Sequence, residues 1–174
     1  MQHYGLPTRL LDWTLSLLVD AYFALERYIY EKDSEAEDAS IWVLEPHALN
    51  ALEELGDVTP SIDAHMCKKM LRPAFTHIAS ENNKVLAVMA AEQDMRMFVQ
   101  QGCFTIHSDP QPLNKRSGKE HYLTELIIPT KYVKGMAFEV DVCGFRKGDM
   151  FPDLGHLAEE LKGIYAPSRA KPST

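Results

Sequence analysis

The feature that most constrains the fold of this chain is residues 15–30 (LSLLVDAYFALERYIY), a segment that is apolar over most of a helical circumference. Rows of apolar side chains recur at helical spacing, and Ser16, Asp20 and Arg27 form a narrow polar stripe. Such a helix needs apolar neighbours on more than one side, so the pattern predicts a central core helix. Thr14 is the residue expected to cap its N-terminus.

Composition limits the class of protein. With 174 residues the chain can form one domain with a sizeable core. Its net charge of −7 argues against nucleic acid as a partner, because a phosphate-binding surface needs a surplus of Lys and Arg. Three widely spaced cysteines predict neither a disulfide framework nor a metal site, and they suit a reducing cytoplasm. With no leader after Met1 and no apolar run of about 20 residues, we expect a cytoplasmic protein without a membrane partner.

The remaining patterns predict a single α+β domain over residues 1–165, in which a small mixed or antiparallel sheet packs against several helices. Short apolar or alternating runs predict strands at 41–45, 84–91, 103–108 and 122–129. Helical patterns cover 48–56, 92–100, 131–140 and 151–165. The strand at 103–108 alternates Phe104 and Ile106 against Thr105 and His107, which predicts that one face is buried. Residues 166–174 are expected to be a disordered tail.

The densest group of polar side chains lies near the start of the chain, in residues 3–13 (HYGLPTRLLDW). Gly5 and Pro7 restrict the backbone, which predicts a loop held in one conformation. One interpretation is that this rigid loop presents its side chains to a ligand, with the guanidinium of Arg9 suited to a phosphate or carboxylate. The other is that Arg9 and Asp12 form an internal ion pair. The ligand-binding candidates of this stretch are His3, Tyr4, Arg9 and Asp12.

A second group of polar side chains lies in residues 96–108 (RMFVQQGCFTIHS). Gln100 and Gln101 precede Gly102, which predicts a helix-to-strand turn where the backbone can approach a ligand closely. Thr105 and His107 share one face of the following strand, and His107 has the chemistry of a general acid or base. The alternative is that His107 is a hydrogen-bonded structural residue and that the turn is only a helix cap. The candidates are Gln101 and His107 for catalysis, and Gln100 and Thr105 for ligand binding.

Three stretches of the chain, in this order, resemble a known family: QHYGLPTRLLDWT, QQGCFTIH and MFPDLGHLAEELK. They are similar to the FRG domain, a bacterial and phage-associated family named for a Phe-Arg-Gly motif near its start. The resemblance runs from Gln2 to about Lys162. The Phe-Arg-Gly motif itself is missing, which implies that the chain is the C-terminal part of such a domain.

The resemblance implies an FRG domain-containing protein of unassigned activity. Some family members accompany mobile elements or phage-defence genes, which implies an intracellular effector in phage defence or stress. By analogy with ADP-ribosyltransferases, the leading hypothesis is an enzyme that acts on a nucleotide-type ligand, with NAD as a substrate rather than a resident cofactor. In that hypothesis Arg9 holds phosphate, His3 and Tyr4 contact base or ribose, and Gln101 and His107 orient the reacting group.

Two other hypotheses stay open at this point. The same polar groups would also serve a non-catalytic module that recognises another protein, with Arg9 and Asp12 purely structural. The chain could equally be an inactive remnant of a truncated domain, in which case its thermal unfolding would be broad and non-cooperative.

Overall fold

The computed structural model describes residues 8–31, 33–70, 84–90, 95–152 and 154–165. The strands within these residues are β1 (Leu10–Thr14), β2 (Ala39–Leu44), β3 (Val85–Val88), β4 (Gly102–His107) and β5 (Leu123–Ile128). The helices are α1 (Leu17–Tyr30), α2 (Pro46–Leu52), α3 (His65–Met70), α4 (Met95–Val99), α5 (Thr130–Val142), α6 (Lys147–Met150) and α7 (Leu154–Tyr165), with 3-10 turns at Leu113–Lys115 and Lys119–His121. The α+β class is confirmed. The predicted tail at 166–174 lies outside the described residues.

The predicted core helix is confirmed as α1, but its beginning differs from the prediction. Ser16 is the N-cap, and its hydroxyl accepts a hydrogen bond from the backbone N–H of Val19 at 3.4 Å. Thr14 was the wrong choice because it closes β1, where its hydroxyl donates to the carbonyl of Gln100 at 2.7 Å. In the first turn of α1, Leu17 and Leu18 are exposed, with Leu17 retaining 63% of its accessible surface, whereas Val19 is buried.

The main core lies where α1 packs against α5 and the second sheet. Its fully buried members come from both helices, and β2 and β5 each add one isoleucine. These residues are Tyr22, Leu25, Ile41, Ile128 and Val133. The apolar stripe of α1 therefore enters the core along most of the helix, from Val19 to Ile29.

The predicted single sheet is two separate antiparallel sheets. One has the strand order β1-β4-β3, and the other consists of β2 and β5. The opening segment is the clearest correction, because Leu10–Thr14, expected to lie in a loop, is a strand paired with β4. Local sequence carries little sign of β1, since its five residues do not alternate between apolar and polar and its partner strand lies far along the chain.

The prediction for 103–108 is half right, because the strand exists but both of its faces are covered. β4 is the central strand of its sheet, and adjacent positions Thr105 and Ile106 are both buried. One face packs on a cluster that contains Leu49 and Tyr122, and the other packs on a cluster that contains Cys67. A central strand between two layers cannot show a simple inside-outside alternation.

Two predicted helices also differ from the observed ones. The helix expected over 92–100 is described from Met95 and ends at Val99. In the turn that follows, Gln101 takes the left-handed conformation with φ +48°, and Gly102 already belongs to β4. The helix expected over 151–165 begins only at Leu154. Phe151 lies outside any helix and packs edge-on against Phe23, with ring centroids 5.9 Å apart.

Candidate functional site

A cavity of about 1400 Å³ extends along β1. Its wall is formed by β1, β2, the first turns of α1 and the segment that follows β4. Small-molecule pockets usually enclose roughly 300 to 1000 Å³, so this cavity has room for a ligand of more than average size. Arg9, Asp12, Gln100 and His107, among the residues predicted to form a site, all line it.

A chain of hydrogen bonds fixes the position of His107. The indole N–H of Trp13 donates to Thr105 Oγ1 at 3.1 Å, and Thr105 Oγ1 lies 2.9 Å from Nε2 of His107. Because Thr105 is fully buried and its oxygen already accepts from Trp13, the hydroxyl proton has Nε2 as its acceptor. The ring proton of neutral His107 is then on Nδ1, whose partner is not found among the described residues.

The surroundings of His107 favour its neutral form. Burial lowers the pKa of His107, and the positive charge of Arg116 lowers it further, while Asp109 acts in the opposite direction. A neutral imidazole that lines a cavity can donate a hydrogen bond from Nδ1 without carrying charge. The arrangement therefore presents a positioned, uncharged donor to whatever occupies the cavity.

Three charged side chains hold the segment after β4 beside His107. Arg116 donates to Asp109 at 2.7 Å and to Glu53, which lies at the end of α2. All three side chains retain less than a fifth of their accessible surface. A guanidinium that bridges two carboxylates in this way fixes the segment that forms one end of the cavity.

Arg9 and His107 are neighbours across the first sheet. The backbone N–H of His107 donates to the carbonyl of Arg9 at 2.8 Å, so the two residues are directly opposite and share a face. Asp12 pairs with Phe104 and lies on the other face, because side chains alternate along a strand. This geometry does not favour the predicted ion pair between Arg9 and Asp12, since it directs the two side chains to opposite sides.

The two glutamines of the turn have different positions. Gln100 lines the cavity, and its side-chain amide donates to the carbonyl of Met150 at 2.8 Å. Gln101 is exposed, is not part of the cavity wall, and its carbonyl accepts from the N–H of Leu15 at 3.1 Å. Thr105 is likewise absent from the wall, so its connection to the cavity runs through His107.

Other sequence candidates contribute less. His3 and Tyr4 lie outside the described residues. Cys103 lines the cavity, but burial raises the pKa of its thiol, which keeps it protonated and weakly nucleophilic.

Within the described ranges no group of three or more His, Cys, Asp or Glu side chains converges as metal ligands would. The helices described also include none that is both long and apolar enough to cross a membrane.

Several residues that shape the cavity were not found from the sequence. Trp13 and Arg116 act through Thr105 and Glu53, which lie far along the chain, so spacing gives no sign of them. Asp109 pairs with Arg116 seven residues away, but no motif marks that pair. Asp20 and Arg96 also line the cavity, although the sequence marked Asp20 only as part of a polar stripe. An acidic residue in a largely apolar stretch of helix is the signal that could have drawn attention to Asp20.

The fold and cavity define an α+β domain with a large open site beside an edge strand. Comparison with protein families adds one match: the family model of the FRG domain matches residues 1–33, which include β1 and the whole of α1. The family resemblance is thus supported over this segment, and its extension to about Lys162 stays a prediction. No similarity was found to a curated protein or to a solved structure.

Proposed function

We propose that the chain is an FRG-type domain that binds a nucleotide-type ligand, with NAD as the favoured candidate, in the cavity beside β1. Arg9 would hold a phosphate group of the ligand, and His107 would donate from Nδ1 to a polar atom near the reacting centre. Thr105 would act as a positioning residue for His107, and Gln100 would close the opposite end of the wall. The family resemblance supports an effector role in a bacterial cell, in phage defence or stress.

One observation carries this proposal. β1 and β4 place Arg9 and His107 opposite each other at the wall of a large cavity, and a buried chain of hydrogen bonds holds the imidazole in one orientation. A permanent cation next to a neutral donor suits an anionic ligand that also carries polar groups. Binding and catalytic groups are commonly positioned by rigid elements in this manner.

The test is a thermal-shift and calorimetric screen of the purified chain against NAD, ATP and GTP. A ligand at 100 times its dissociation constant stabilises the folded state by about 2.7 kcal/mol, which is readily measured. We expect NAD to raise the midpoint of unfolding and expect Arg9→Ala and His107→Ala to abolish the shift. Arg27→Ala and His121→Ala are the matched controls, because both side chains are exposed and outside the cavity wall.

A second candidate function rests on a different observation. The junction of β1 and α1 exposes four leucines beside the cavity: Leu11, Leu15, Leu17 and Leu18. Exposed apolar groups that lie together are typical of protein-binding surfaces. If none of the three nucleotides shifts the melting curve while unfolding stays cooperative, a recognition module becomes the better proposal; a broad, non-cooperative melt would favour an inactive remnant.

A further inference from the structure

Asp20 is a partly buried carboxylate in the first turn of α1, and it lines the same cavity as His107. Among the described residues its side chain has neither a hydrogen-bond donor nor a cation as a partner. Burial raises the pKa of its carboxyl group. Desolvating a carboxylate without pairing it destabilises a fold, so such a group in a cavity is a candidate for ligand binding.

β1 leads from the part of the cavity wall at His107 toward α1, the helix that carries Asp20. Arg9 lies opposite His107 just before β1 begins, whereas Thr14, bonded to the carbonyl of Gln100, ends β1, and α1 begins at Leu17. From Arg9 to Thr14 the strand spans roughly 17 Å at about 3.4 Å per residue. A ligand that reaches both ends is therefore long, as a dinucleotide is and a mononucleotide is not.

Two other groups at the Asp20 end fit such a ligand. Arg96 lines the cavity, and its guanidinium lies 4.5 Å from the centre of the Phe151 ring. Phe23 of α1 contacts the same ring. A guanidinium provides donors for phosphate oxygens, and the carboxylate of Asp20 provides two acceptor oxygens. Adjacent hydroxyl groups of a ribose supply two donors at a spacing that a carboxylate can accept together.

We propose that Asp20 accepts hydrogen bonds from ribose hydroxyls of a dinucleotide whose other end lies at His107. This inference rests on the proposed function and names the part of the ligand that the α1 end of the cavity recognises. A carboxylate in this role also disfavours a ribose that carries a 2′-phosphate, so it selects NAD over NADP.

The experiment measures dissociation constants of NAD, NADP and deamino-NAD by calorimetry for the parent chain, Asp20→Asn and the exposed control Asp141→Asn. We expect Asp20→Asn to weaken NAD binding about tenfold and to reduce the NADP-to-NAD ratio of dissociation constants by about tenfold, since a charged hydrogen-bond acceptor is lost. Without ligand, Asp20→Asn is expected to melt at the same temperature as the parent or higher, because it loses an unpaired, desolvated charge. Asp141→Asn is expected to change neither quantity.

Other outcomes overturn the inference in distinguishable ways. If the parent binds NAD, His107→Ala abolishes binding and Asp20→Asn leaves both the affinity and the NADP-to-NAD ratio unchanged, then Asp20 has no ligand role and the proposed function stands. If the parent binds NAD more tightly than deamino-NAD and Asp20→Asn binds the two equally, the carboxylate recognises the adenine amino group. The ribose assignment is then wrong. If the parent binds none of the three dinucleotides, the proposed function and this inference fail together.

Discussion

The hydroxyl of Thr105 bridges the indole of Trp13 and the imidazole of His107, with its oxygen 2.9 Å from Nε2 of His107. This contact joins the buried centre of the sheet to the cavity wall, because Thr105 is fully buried and His107 lines the cavity. The orientation of a surface-accessible imidazole therefore depends on an interior residue that no ligand can touch.

Thr105→Val tests that dependence. Valine has nearly the same shape and is favoured in strands, so the change removes one hydroxyl and leaves two buried polar groups without their partner. We expect the free energy of unfolding to fall by about 2 to 3 kcal/mol. Urea denaturation measures the loss, and Thr124→Val on the exposed face of β5 is the control, with an expected change within about 0.5 kcal/mol. Equal effects at the two positions would contradict the bridging role.

Arg116→Met tests the charged cluster behind the cavity. The variant leaves Asp109 and Glu53 close together and largely buried without their shared cation, so we expect a loss of about 2 to 4 kcal/mol in unfolding free energy. Removing the positive charge should also raise the pKa of His107, which NMR titration of the imidazole measures directly. A pKa of His107 that stays where it is in the parent would show that burial alone sets it.

The lowered pKa of His107 predicts how stability depends on pH. The unfolded chain binds a proton near the ordinary value of 6.5, whereas the folded chain binds it only at lower pH. Below pH 6.5 the unfolded state thus holds more protons, and folding stability decreases as the pH falls. We expect urea denaturation between about pH 7.5 and about pH 5, a range that includes the ordinary pKa of histidine, to show this loss.

His107→Gln is the variant that isolates this contribution. It removes the titrating ring, so the decrease in stability below pH 6.5 should be smaller than in the parent chain. His121→Gln removes an exposed imidazole by the same substitution and serves as the control. Identical pH dependence in the parent and His107→Gln would mean that other groups account for the loss.

Asn50→Leu tests a buried amide outside the cavity. The side chain of Asn50 is fully buried and makes three hydrogen bonds, two with the backbone of Ala87 and one with the carbonyl of Val58. Leucine leaves these backbone groups unsatisfied, so we expect unfolding free energy to fall by about 3 to 5 kcal/mol. Asn114→Leu, at a partly exposed position, should cost less than about 1 kcal/mol by the same measurement.

Gln101→Gly separates a structural role from a binding role. Glycine adopts the left-handed conformation of this residue without strain, so the variant should gain about 0.5 to 1 kcal/mol of stability. Because Gln101 is not part of the cavity wall, NAD affinity should stay unchanged. Gln111→Gly, at an exposed position, should instead lose stability. A variant of Gln101 that binds NAD more weakly would restore the sequence-based catalytic assignment.

Sequence predicted those elements whose signal is local. The apolar rows of residues 15–30 and the short run of residues 122–129 ended by Pro129 lie within single segments, and both correspond to observed elements, α1 and β5. β1 was missed because its pairing partner is far away: Trp13 and Thr105 are 92 residues apart. A strand at a sheet edge, stabilised by one neighbour, need not carry a pattern of its own.

The candidate site was only partly predictable for the same reason. His107 and Thr105 could be placed on one strand face by counting alternate residues, and the structure shows them in contact. The cluster around Arg116 joins the segment after β4 to Glu53 at the end of α2, 63 residues from Arg116, so no motif could reveal it. Gln101 was assigned to the site from its neighbours in sequence, whereas its backbone conformation turns it away from the cavity wall.

The amide of Asn50 also covers part of an edge of the first sheet. Its oxygen accepts from the N–H of Ala87 and its nitrogen donates to the carbonyl of the same residue, as an adjacent strand would. Among the described strands β3 is the last on its side of the sheet, and an uncovered edge of that kind can template pairing with other chains. Asn50 and the segment at Ser61, which bridges to Met89, cover this edge together, so we expect Asn50→Leu to increase edge-to-edge aggregation as well.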